Sequence, residues 1–143
     1  ISDIYGCRWY VHKLLADTGN SWYTQYYDST DIAYFVVTGI SLQHGGYRAP
    51  SNSHQNGLDV DVRYLYTDGD LDVEASVDLI SLFLTEECKY VFVEIPDVYN
   101  AFDGHDSRVR FQSPHTDHFH VRFADPDGGP EDDPCPPCQE SYP

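Results

Sequence analysis

Two short stretches hold four of the seven histidines: His115-Thr116-Asp117-His118-Phe119-His120-Val121-Arg122 and, about sixty residues earlier, Ser53-His54-Gln55-Asn56-Gly57-Leu58-Asp59-Val60-Asp61. In both, polar residues alternate with apolar ones. A strand sends successive side chains to opposite faces. His118 and His120 would then share one face, with Phe119, Val121 and Phe123 on the other. Likewise Asp59 and Asp61 would oppose Leu58, Val60 and Val62. The apolar faces can pack on a core, and the polar faces bring imidazoles and carboxylates together, which is the donor set of a metal site.

Imidazole nitrogen and carboxylate oxygen both bind zinc, and a catalytic zinc keeps three protein ligands and one open position. The candidate donors are His54, Asp59 or Asp61, and two or three of His115, His118 and His120. No H-E-x-x-H is present, which excludes the helical zinc-protease motif. On a strand, His118 and His120 lie ~6.5–7 Å apart. One can bind a metal while the other exchanges protons beside it. Arg48 and Arg122 are candidates for stabilising an oxyanion or gripping a carboxylate, and Arg122 reads equally as a strand-edge charge.

The elements that would position these residues follow from periodicity. Residues 5–17 show apolar spacings near three and four and predict a helix, with Gly19 as its C-cap. Residues 32–37 are β-branched and aromatic and predict a buried strand; residues 58–64 predict a strand by strict alternation. Residues 44–52 read as a loop rich in Gly, Pro and Ser that delivers the chain to His54. Residues 68–74 superficially suggest a calcium loop, but Val73 stands where Gly is required and Leu79 where Glu is required. Asp70 or Asp72 instead caps a helix over 72–87. Residues 90–93 predict a second buried strand, 96–102 a short helix or turn, and 104–114 a loop or a short strand through Val109 and Phe111. The expected architecture is α+β: a small antiparallel sheet flanked by helices, with the metal site on the sheet face. It forms a single domain over 1–124, followed by an acidic, proline-rich, cysteine-containing tail over 125–143.

Composition narrows the function. The chain has 143 residues, 8 Lys plus Arg against 24 Asp plus Glu, and a net charge of −16. Such a balance argues against nucleic acid and against adhesion to anionic membranes. No apolar run approaches the ~18–20 residues needed to cross a bilayer. The sequence begins at Ile1 with no signal-peptide pattern, which suits a processed mature form or a trimmed chain. Four cysteines, Cys7, Cys88, Cys135 and Cys138, suit disulfides in an oxidising compartment. Cys135 and Cys138 have redox-motif spacing, but in an acidic, proline-rich tail they read as a structural staple.

The blocks S-H-Q-x-G-L-D-V-D-V and H-x-x-H-F-H-V-R resemble those of the LAS metallopeptidases, which include the D-alanyl-D-alanine peptidases and the Hedgehog signalling domain. The finer match resembles the penicillin-insensitive murein endopeptidases. It extends loosely over residues 30–123, through Gly45-Gly46 and Tyr90-Val91-Phe92-Val93. The resemblance implies a Hedgehog/D,D-peptidase-like fold, one Zn2+ per chain, and a secreted or periplasmic D,D-endopeptidase that cuts D-Ala-containing cross-links of peptidoglycan. It places the zinc ligands on His54, Asp61 and His120, and the other active-site histidines on His115 and His118. Ser53, Gln55 and Asp59 fall in the same motif, Asp59 as a brace for a ligand histidine or for the loop. The family carries Gly-His-Ala before the Ser-His pair, whereas this chain has Pro50-Ser51-Asn52 and lacks that histidine. Two other readings are a D,D-carboxypeptidase and a non-catalytic zinc-binding protein on the same fold.

Overall fold

The computed structural model describes residues 3–4, 7–29, 31–40 and 58–124, with side chains from Val11 onward. In chain order the elements are β1 (Asp3–Ile4), β2 (Cys7–Arg8), α1 (Trp9–Tyr26), β3 (Val37–Ile40), β4 (Asp59–Arg63), β5 (Tyr66–Thr67), β6 (Asp70–Leu71), α2 (Val73–Phe83), β7 (Cys88–Val93), α3 (Pro96–Phe102), β8 (Val109–Phe111) and β9 (His118–Phe123). The fold is α+β. A five-stranded sheet runs in the order β3-β4-β9-β7-β8, and β1-β2 and β5-β6 form two-stranded hairpins. Among the described residues no helix is long and apolar enough to cross a membrane.

Alternation in the sequence makes the two central strands two-faced. Val60, Val62, Phe119, Val121 and Phe123 turn to one side and are fully or almost fully buried, joined there by Val91 and Val93 of β7. Helix α2 covers this face: Phe83 packs against Phe119 and Phe123, with ring centroids 5.8 and 6.4 Å apart. α1 adds Val11 and Trp22 to the core, and α3 adds Val98 and Phe102. The opposite face carries Asp59, Asp61, His120 and Arg122, placed side by side by the β4–β9 register.

Several expectations need correction. The sheet is mixed rather than antiparallel, because β7 and β8 run parallel. Val109 and Phe111 do lie on a strand, and residues 96–102 are helical. α1 does not stop at Gly19. It continues to Tyr26 because its second half is held from outside: Trp22 is buried, stacks on Tyr26 at 4.1 Å and donates from Nε1 to the Ile32 carbonyl. Packing outweighs the glycine. The same bond makes residues 31–34 a turn, so the strand expected over 32–37 begins only at Val37. Its apolar run is divided: Ile32 enters the core, while Tyr34 stacks on Tyr23 at the surface.

The acidic segment over 68–74 is a hairpin whose turn has positive φ at Asp68 and Gly69. Asp72 caps α2 by accepting from the Ala75 amide at 2.9 Å, as expected. That helix ends at Phe83 rather than near 87. Arg108, far along the chain, donates to the carbonyls of Leu84, Thr85 and Cys88, and is itself held by Asp106 at 2.8 Å. The carbonyl of the C-cap residue Leu84 and those of the segment that follows it thus find a tertiary partner. Cys88 is a buried free thiol, so the expected disulfide does not form there; burial pushes its pKa up to about 12. Cys135, Cys138 and the tail lie outside the described residues.

Phe83 joins the helix layer to the sheet, so Phe83→Ala should cost ~3–5 kcal/mol of stability. A urea denaturation series checks this; a loss under ~1 kcal/mol would mean that α2 is not seated on the sheet as described.

Candidate functional site

The polar sheet face is built in rows. Backbone register aligns Gly39, Asp61, His120, Phe92 and Arg110 across β3, β4, β9, β7 and β8. The next row holds Asp59, Arg122 and Tyr90. Residues directly opposite one another on neighbouring strands share a face and stand within contact distance.

Asp59 is fully buried. It accepts from His120 Nε2 at 2.7 Å with one oxygen and from Arg122 Nη1 with the other. A buried carboxylate is tolerated only when paired in this way. The arrangement corrects one expectation: Arg122 is neither a strand-edge charge nor a free oxyanion donor, being only 2% exposed and bound to Asp59. Asp59 takes the bracing role.

Since a carboxylate only accepts, His120 Nε2 carries the hydrogen, and Nδ1 faces the other way. There it meets Asp61 Oδ1 at 3.3 Å. His118 Nε2 approaches the same oxygen at 3.7 Å. His118 Nδ1 is tied to Asp117 Oδ1 at 2.6 Å, which also holds the Asp117 carboxyl below its ordinary pKa. His115 completes the cluster, its ring 5.2 Å from that of His118 and 5.7 Å from that of His120. Burial lowers its pKa, so it is neutral at pH 7, and Nδ1 donates to the Gln112 carbonyl at 2.6 Å. Its Nε2 therefore carries the lone pair.

His115 lies before β9, and its segment is pinned from two sides. Tyr64 donates from its hydroxyl to the His115 carbonyl at 2.8 Å and accepts from the Glu94 amide at 3.2 Å. Glu94 in turn accepts from Ser113 Oγ and from the His115 amide, at 2.6 and 2.8 Å. These two bonds hold the Glu94 carboxyl below its usual range. Sequence reasoning missed Tyr64, Glu94 and Asp117. Asp117 sits inside the histidine motif and was readable there; Tyr64 and Glu94 are single polar residues at strand ends, with no local signal.

The donor set suits a cation. His120 faces a carboxylate at each nitrogen; burial alone would lower its pKa, but Asp59 and Asp61 outweigh this and raise it to about 9. Two donors of a tetrahedral zinc, each ~2.0–2.1 Å from the ion, stand ~3.3 Å apart. His120 Nδ1 and Asp61 Oδ1 stand 3.3 Å apart. The described residues supply this pair only; among them no group of three or more His, Cys, Asp or Glu side chains is arranged to hold a metal. His54, with Ser53, Gln55 and Arg48, lies outside the described residues. No family model matches the chain, and no curated protein matches it. The likeness to the LAS metallopeptidases therefore rests on the residues of the two blocks.

The raised pKa links His120 to stability. The folded chain holds this proton more tightly than the unfolded chain, whose value is 6.5. The stabilisation is complete below pH 6.5 and is lost as pH rises through about 9. The denaturation midpoint of metal-free protein should fall across that window. In Asp59→Asn, the His120 midpoint read from its NMR signal should move down toward the ordinary value. An unmoved midpoint would remove Asp59 as the brace.

Proposed function

We propose that the chain is a zinc-dependent D,D-endopeptidase that hydrolyses D-Ala-containing peptide cross-links of peptidoglycan, outside the cytoplasm where that polymer lies. One Zn2+ would be held by His54, Asp61 and His120. The observation that carries this reading is His120 itself, with Nε2 anchored to buried Asp59 and Nδ1 set 3.3 Å from Asp61. A carboxylate that accepts from the far nitrogen of a ligand histidine orients the ring and makes it more basic. When bound, zinc supplies a Lewis acid that polarises a carbonyl and brings the pKa of a water toward neutrality.

The chain's own groups handle position and protons. Asp117 keeps the hydrogen on His118 Nδ1, which leaves Nε2 to take a proton from the attacking water and hand it to the leaving amine. His115, neutral and buried, offers Nε2 as a second acceptor beside it. Tyr64 and Glu94 fix the backbone from which His115 projects.

A second reading is zinc binding without turnover. The net charge of −16 favours it, because like charge opposes approach to an anionic wall. Purified peptidoglycan separates the two. The zinc-supplied chain should release new amine ends and a chelator should stop it; no new ends under any metal condition would exclude the peptidase. Pairing of the released ends distinguishes endopeptidase from D,D-carboxypeptidase.

His120→Ala should lose zinc and activity together. His118→Ala should keep zinc while the rate falls ~10²–10⁴-fold. Full zinc content in His120→Ala, measured by elemental analysis, would refute the ligand assignment.

A further inference from the structure

Arg110 stands at the end of the row that holds Asp61 and His120. Its guanidinium lies over the Tyr90 ring, 5.1 Å from the centroid. Tyr90 stacks on Phe92 at 4.4 Å, and Phe92 lies 5.6 Å from both His115 and His120. An aromatic floor thus runs unbroken from the imidazole cluster to an exposed cation.

The chain has three acids for every base, 24 against 8. Lys13, Arg108 and Arg122 are each ion-paired. Arg63 and Arg110 make no ion pair with a carboxylate among the described residues, and of the two it is Arg110 that lies on an aromatic ring, that of Tyr90. A guanidinium lying on an aromatic ring is pre-oriented, and its N–H edge remains free to engage a carboxylate through two parallel hydrogen bonds.

We propose that Arg110, seated on Tyr90, is a binding site for a carboxylate carried by a peptide substrate. Two strand spacings separate β8 from β9, so Arg110 stands ~10 Å from His120 along the sheet. An extended peptide covers that distance in about three residues. The ligand is an anionic peptide whose carboxylate lies about three residues from the bond acted on, its apolar stem resting on Phe92 and Tyr90. Beyond Arg110 the surface opens into a cleft of about 630 Å3, lined in part by Tyr99, His105 and Phe111, which gives the rest of a longer chain room to continue. The position of the reacting bond rests on the peptidase reading; carboxylate binding at Arg110 does not.

The test uses synthetic peptides cross-linked through a D-Ala amide, with glutamate two, three or four residues before that bond, each beside its glutamine twin. They are titrated into the full, zinc-supplied chain, and dissociation constants and cleavage rates are read separately. At the matching spacing the glutamate peptide should bind about tenfold tighter than its twin, the size of a charge-assisted hydrogen-bonded pair. Arg110→Gln should shrink that preference to under twofold, and Arg110→Lys should keep part of it. Equal affinity within every pair, or a preference that survives Arg110→Gln, overturns the site. Arg110-dependent preference without cleavage supports the site while removing the peptidase reading; cleavage of both twins with no preference does the reverse.

Discussion

Asp59 has no exposed surface, and a carboxylate so placed is stable only while both its oxygens are occupied. Arg122 and His120, two residues apart on the adjacent strand, occupy them. That arrangement constrains more than charge. It pins the register of β4 against β9, since a slip of one residue would turn Asp59 into the apolar core and leave Arg122 with no anion. It also decides which way the His120 ring faces. Asp61 lies on the same side of the same strand as Asp59, so the pairing that satisfies one carboxylate aims His120 Nδ1 at the other.

The same sheet therefore serves two demands with its two faces. Its apolar side, sealed by Phe83 and the helices, gives the rigidity that holds polar donors at fixed separations. Its polar side concentrates negative charge around imidazole, a state that attracts a cation, whether a proton on His120 or a metal in its place. The segment bearing His115 is not part of the sheet, yet Tyr64 and Glu94 fasten its backbone from the ends of β4 and β7. Two residues outside the histidine cluster thus fix where one of its members stands.

Legibility in the sequence followed the range of the determining interaction. Strict alternation around Asp59 and around His120 exposed both central strands and the common face of their polar residues, because strand geometry is local. The cap at Asp72 was readable for the same reason. Boundaries set from afar were not. α1 runs past Gly19 because Trp22 bonds to Ile32, and the carbonyls that follow α2 are collected by Arg108 from far along the chain. The parallel entry of β8, which makes the sheet mixed, depends on the path of the chain through α3. Arg122 was only partly legible for a related cause: from sequence it reads as a strand-edge charge or as a group that grips a carboxylate, and only the register shows it facing Asp59. Ser53, His54, Gln55 and Arg48 stand outside the described residues, so their roles rest on the motif.

The proposed chemistry requires one divalent ion gripped jointly by Asp61, His120 and His54. X-ray absorption at the zinc edge of the zinc-supplied chain tests it directly. The expected spectrum is that of a four-coordinate ion with two imidazole nitrogens and one carboxylate oxygen at ~2.0–2.2 Å, the fourth position taken by water. An ion surrounded by oxygen alone, or by sulfur, would contradict it.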